Sequence, residues 1–182
     1  QRVSDSRPDI MPRFLDIIDR NAERLFALVE DVLDLSRIES RQFSMSIVSL
    51  DVAEAFEKTA SLFYDRLQKR GIQLLVSQSE PLWVRADRRG LEHVLTNLTD
   101  NAVKYAGVDT MIELSAEAAQ GVVVLRVKDN GVGINEKHLS RLFERFFRVD
   151  AGRSREEGGT GLGLSIVKHL VESMGGKVSV SS

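Results

Sequence analysis

The stretch GGTGLGLSIVKHL, residues 158–170, constrains the fold more than any other. Leu162, Ile166 and Leu170, joined by Val167, Val171 and Met174, recur at helical spacing. Yet glycines stand at 158, 159, 161 and 163, at the entrance of that helix. Glycine is a poor helix former, so such a density needs a reason: something approaches the backbone where side chains would stand. A glycine-rich loop running into a helix N-terminus presents bare N–H groups and a partial positive charge, an arrangement that binds phosphate. The reading is that a polyphosphate approaches here. The spacing is not that of a Walker A loop, and no βαβ unit precedes it as a dinucleotide fingerprint requires.

A chain of 182 residues suggests one domain, or one domain with an appendage. Its 42% hydrophobic and 29% charged residues suit a soluble globular core. A net charge of −2 gives no support to nucleic-acid or anionic-membrane binding. Cysteine is absent, which excludes disulfides and thiolate metal sites. No apolar run reaches transmembrane length, and the start QRVSDSRPD is no signal peptide but reads like the middle of a loop, as in a piece of a longer protein.

Phe14, Ile18, Leu25, Leu28, Val32 and Leu35 follow steps of four and three, with Asn21 filling one position. This heptad seam predicts a long bundle-forming helix, with Pro12 in its first turn. From Arg41 the pattern changes. FSMSIVSL reads as a strand; Asp51 to Arg70 as a helix with an Asp cap, closed at Gly71; IQLLVS and LWVRA as strands. Asp87 caps a helix to about Tyr105. MIELSAEA and VVVLRVKD form a hairpin about Gln120-Gly121. Ser140 to Val149 suggests a short helix, and KVSVSS a last strand. Together these predict an α+β fold, helices on one face of a mostly antiparallel sheet.

Two further groups carry chemistry. On the helix from Asp87, Leu91, Val94, Leu95, Leu98 and Ala102 form the apolar face, and His93, Asn97, Asn101 and Lys104 a polar stripe beside it. Carboxamide oxygens ligate hard cations such as Mg²⁺ and an ammonium meets phosphate, although a solvated helix face has the same pattern. In VKDNGVGI, residues 127–134, Asp129 shares a strand face with Val123, Leu125 and Val127. That apolar face is expected to be buried, so its carboxylate needs a partner or a ligand, such as an exocyclic amine. A plain Asp-Asn-Gly turn is the alternative.

Taken in order, NLTDNAVKYA, DNGVGI, LFERFFRVD and GGTGLGLSIVKHL resemble the N, G1, F and G2 boxes of sensor histidine kinases, and NAERLFALVEDVLDLSRIES resembles the second helix of that family's dimerisation domain. The resemblance covers nearly the whole chain from about Arg13. It implies a two-layer α/β sandwich of the Bergerat ATP-binding type, with residues 1–40 a loop and second helix of a phosphotransfer hairpin, residues 41–182 the catalytic domain, and a lid at about 134–160. By resemblance, Asn101 coordinates Mg²⁺ between the phosphates of ATP, with Asn97 one turn before it. Lys104 contacts phosphate and Tyr105 flanks the nucleotide. Asp129 accepts the adenine amine, Gly131 and Gly133 allow close approach of the base, and Ile134 belongs to the same nucleotide-binding set. Phe143, Phe146 and Phe147 anchor the lid or pack in the core. Arg148 reaches the terminal phosphate, which with Lys104 makes up the catalytic pair. Gly159, Thr160, Gly161, Leu162, Gly163 and Leu164 line the phosphates, and the charged loop 150–158 is the lid itself.

The chain departs from the family in two places. His93, His138 and His169 are its histidines, and none lies in the family's phosphoacceptor context. The family also continues past GGKVSVSS into a final strand. The implied activity is autophosphorylation of a histidine absent here, then transfer to the aspartate of a response-regulator receiver domain. Expected partners are ATP, a second subunit through the helical bundle and that receiver, with no nucleic acid. The expected location is cytoplasmic, and a parent protein can be anchored in the plasma membrane. The alternatives are a degenerate, non-catalytic ATP-binding module and a related ATPase. The ATPase would need a glutamate where Asn97 stands, and a carboxamide takes no proton from water.

Overall fold

The structure is a computed structural model describing residues 10–39, 45–78, 80–149 and 159–182. A long helix, α1 (Ile10–Glu39), comes first. Pro12 lies in its first turn, where a missing N–H costs nothing. Of the heptad seam, Phe14, Ile18, Leu25 and Val32 are exposed, and Asn21 turns back to donate to the Ile17 carbonyl at 2.7 Å. Phe26, Val29 and Leu33 are exposed beside them, so α1 presents a broad apolar surface to solvent.

The remaining elements are β1 (Ile47–Asp51), α2 (Val52–Arg70), β2 (Gln73–Gln78), β3 (Trp83–Asp87), α3 (Arg88–Tyr105), β4 (Met111–Ala119), β5 (Val122–Asp129), α4 (Glu136–Leu139) and α5 (Gly163–Ser173). Both aspartate caps form. Asp51 accepts from the Ala53 N–H at 2.8 Å and Asp87 from the Gly90 N–H at 2.8 Å. Gly71 closes α2 in the left-handed conformation, φ 65°. The β4–β5 turn carries Gln120 and Gly121 at φ 50° and 83°, the paired positive φ of a tight hairpin.

Strands β1 and β3 pair antiparallel, while the order of the other sheet is β2-β4-β5, with β4–β5 antiparallel and β2–β4 parallel. The pairing is mostly antiparallel, as expected; the parallel pair β2–β4 is joined through β3 and α3, long enough a connection to bring the chain back in the same direction. Helices α2 and α3 cover one face of the strands: Phe56, Leu91 and Leu95 pack with Leu50, Ala86, Leu114 and Ala116, and Phe63, Leu67 and Val103 with Ile112. The other flank of α3 packs on α5, Val94 against Leu162, Ile166, Val167 and Leu170. The α+β two-layer fold is therefore as expected, with α3 buried centrally between α2 and α5.

Two local expectations are corrected. The short helix is at Glu136–Leu139, ahead of the 140–149 segment, which is a run of turns; Asn135 starts it by accepting from the Lys137 N–H at 3.2 Å. The residues of KVSVSS form no strand, because alternation sets faces but a strand also needs a ladder partner. Val178 packs on the α5 cluster, and Ser182 Oγ accepts from the Ile134 N–H at 2.6 Å.

Candidate functional site

The glycine loop lies along the second half of α3. A β-carbon on Gly163 would stand 2.7 Å from Asn97 Oδ1, and one on Gly159 would stand 2.8 Å from the Tyr105 hydroxyl. At Gly161, φ is +75°, and an added β-carbon would meet the Phe146 backbone at 2.9 Å. The Phe146 N–H donates to the Gly161 carbonyl at 2.8 Å. The glycines therefore answer first to protein: the Asn97 carboxamide, the Tyr105 hydroxyl and the Phe146 main chain occupy the space that side chains would fill. These protein contacts stand beside the reading that a polyphosphate approaches the loop. Asn97 and Tyr105 are eight residues apart, about 12 Å along a helix.

The DNG turn meets the same end of α3. A β-carbon on Gly131 would stand 2.7 Å from Ala106 Cα, immediately after Tyr105. Asp129 pairs across the sheet with the fully buried Ile112, so it lies on the helix-facing side as expected. It is nonetheless exposed, which corrects the expectation of burial. The strand runs on to where α3 ends, and the helix layer no longer covers it. Its Oδ1 accepts from the Gly131 N–H at 2.9 Å, so the turn is also a locally bonded one. Asn130 extends the ladder, its Oδ1 accepting from the Met111 N–H at 2.7 Å. Gly133 has φ +71°, and Ile134 is at the margin of exposure.

Within the stripe, His93, Asn97, Asn101 and Lys104 are partly buried and Tyr105 is exposed. Asn97 Nδ2 donates to the His93 carbonyl at 3.2 Å, which aims its Oδ1 toward Gly163. Lys104 pairs with Asp100 at 2.5 Å. Helix α5 begins at Gly163 with no side chain capping it. Thr160 Oγ accepts from the Leu162 N–H at 3.2 Å and donates to Asp31 Oδ2 of α1 at 2.6 Å. Leu162 is fully buried, and Leu164 is partly so.

Phe143 and Phe147 are half-buried, with the Arg141 guanidinium 4.3 Å above the Phe147 ring. Phe146 is 64% exposed at φ 60°, so core packing does not describe it. Two residues on, Arg148 buries Nε and Nη2 with no hydrogen-bond partner among the described residues. Unpaired buried donors are costly, and a guanidinium in that state fits an anionic ligand such as phosphate. The 150–158 loop expected as the lid lies outside the described residues. Among the described residues, no group of three or more His, Asp or Glu could hold a metal ion.

Spacing could not have found the Thr160–Asp31 contact, which joins residues 129 apart. The Asp100–Lys104 pair was legible as an i, i+4 ion pair on the predicted helix.

The profile of the family described as "Histidine kinase-, DNA gyrase B-, and HSP90-like ATPase" matches residues 86–182. Sensor histidine kinase WalK of Bacillus subtilis is 32% identical over 180 residues, 96% of this chain and 29% of WalK. Sensor histidine kinase YkoH of the same organism is 35% identical over 182 residues, all of this chain and 39% of YkoH. The chain thus spans well under half the length of these curated relatives. Among solved structures, the Acinetobacter baumannii histidine kinase AdeS is similar over 97% of this chain and 80% of its own, with TM-score 0.76 and 28% identity. Full-length ShkA in complex with AMPPNP is similar over 98% of this chain and 37% of its own, with TM-score 0.81 and 29% identity.

Proposed function

The chain belongs to the family of histidine kinase-, DNA gyrase B- and HSP90-like ATPases, and on that premise we propose that it is the ATP-binding catalytic part of a sensor histidine protein kinase. The observation that carries the proposal is the meeting of three motifs on one stretch of α3: Gly163 at Asn97, Gly159 at Tyr105, and Gly131 at Ala106. Residues 1–40 belong to a dimerisation hairpin and residues 41–182 to the catalytic domain, with a lid at about 134–160. The exposed apolar surface of α1 supports the first assignment, since a helix does not leave such a seam to water when a bundle can cover it. A second subunit is the occupant that the family suggests.

In this reading Asp129 accepts from the adenine amine beyond the end of α3. Gly131, Gly133 and Ile134 border the base, and Tyr105 flanks it. Asn97, Asn101, Lys104 and the segment Gly159 to Leu164 follow the phosphates along α3. Arg148 supplies its unpaired donors to the terminal phosphate. Asn101 would hold Mg²⁺, since a carboxamide oxygen suits a hard cation, and the ion would neutralise phosphate charge. Phosphoryl transfer asks mostly for position and charge neutralisation. Lys104 and Arg148 meet that demand by holding donors at the phosphate oxygens where charge develops. In the transfer the bond from the γ-phosphorus to the bridging oxygen breaks, a bond to an imidazole nitrogen forms, and ADP departs. That imidazole is supplied from outside these residues, and a receiver-domain aspartate takes the phosphoryl group next. No helix of the described residues is long and apolar enough to cross a membrane.

The test is incubation with γ-labelled ATP and Mg²⁺, alone and with a polypeptide carrying a phosphoacceptor helix. Label on the added helix only is expected. Phosphate release without label would replace the kinase with the ATPase reading. ATP binding with neither label nor release would support the non-catalytic module.

A further inference from the structure

Phe63, Arg66 and Arg70 are spaced three and four apart on α2, so they share the face that crosses the last turns of α3. Phe63 is buried, and the Arg66 guanidinium lies 5.3 Å above its ring, which fixes the direction in which the arginine extends. From there Arg66 Nη1 reaches Asp100 Oδ1 at 2.7 Å. The other oxygen of Asp100 holds the Lys104 ammonium at 2.5 Å. Beside this relay, Arg70 Nη1 donates to the Val103 carbonyl at 2.6 Å and occupies the C-terminal carbonyls of α3.

We infer that Arg66 is a positioning residue for phosphate binding: it shares the Asp100 carboxylate and thereby leaves the Lys104 ammonium available to the nucleotide. The inference rests on the reading of Lys104 as a phosphate contact. A carboxylate beside a phosphate-binding lysine has two opposed effects. It confines a long side chain that otherwise sweeps through many rotamers, and it competes with phosphate for the positive charge. With a second cation on Oδ1, Asp100 still fixes the lysine but offers it only part of its charge. Without Arg66 the whole carboxylate charge falls on Lys104, and the carboxylate loses the contact that orients it.

The test is calorimetric titration of the 182-residue chain with ATP and with adenosine, for the unaltered protein, Arg66→Ala, Lys104→Met and the double variant. Arg66→Ala is expected to weaken ATP binding about threefold, the scale of a half-exposed ion pair, and to leave adenosine binding unchanged. The effect should disappear in the Lys104→Met background and shrink as salt rises. Arg66→Lys, which keeps a cation at Asp100, should restore most of the loss. Equal weakening of ATP and adenosine would make Arg66 a merely structural residue and overturn the inference. So would an undiminished Arg66→Ala effect in the double variant, or no effect at all. Unchanged ATP affinity in Lys104→Met would instead remove the lysine reading itself, and the inference with it.

Discussion

Gly163 and Asn97 are in direct contact across the α3–α5 packing: the position of a β-carbon on the glycine is 2.7 Å from the carboxamide oxygen. Gly163→Ala must therefore displace the Asn97 side chain, while the alanine itself favours the helix it starts. Little change in unfolding free energy is expected, together with at least a tenfold loss of ATP affinity, the scale of a hydrogen bond to a charged group. Calorimetry beside urea denaturation separates the two; unchanged affinity would remove Asn97 from the nucleotide site.

Gly161→Ala should behave differently. Here φ is +75° and the obstacle is the Phe146 main chain at 2.9 Å, which cannot rotate away. The left-handed conformation alone costs an alanine about 1 kcal/mol. A lower melting temperature and loss of amide protection at Phe146, whose N–H donates to Gly161, are expected by hydrogen exchange.

Asp129→Asn exchanges an acceptor-only carboxylate for an amide at the open end of β5. The expected loss in ATP affinity is at least about 1.5 kcal/mol, with weaker discrimination between adenine and hypoxanthine nucleotides. Equal affinity for both nucleotides in the unaltered protein would contradict the assigned role.

Asp87→Ala tests the scaffold. Besides capping α3, Asp87 accepts from the Ser46 N–H at 3.0 Å, and it is buried. Losing both bonds should cost about 2 kcal/mol in denaturant unfolding. A cost of a few tenths would mean that water replaces the carboxylate.

Across the β4–β5 hairpin, the Arg126 hydrogen bond, with its charge second, holds the Glu117 carboxyl below its ordinary value of 4.5. A depressed folded value means stabilisation present at neutral pH and lost as pH falls through that value. Both side chains are half exposed, so the effect on stability is small. An NMR titration should show Glu117 returning to the ordinary range in Arg126→Gln.

Short-range chemistry made much of this protein legible. Asp51, Gly71, Asp87 and the Gln120-Gly121 pair act on atoms a few residues away, and each is where the pattern placed it. The order of the motifs likewise marked the family, because each motif carries its own local conformation. The tertiary structure alone decided the rest. Whether Asp129 is buried depends on where α3 stops, and whether KVSVSS is a strand depends on a ladder partner. The glycines at 159, 161 and 163 were legible as room left by missing side chains, but that this room faces Tyr105, Phe146 and Asn97 was not. The Thr160–Asp31 bond joins residues 129 apart in sequence. Local pattern sets a residue's conformation and face; what stands opposite that face is set by the packing of elements distant in the chain, and periodicity carries no record of it.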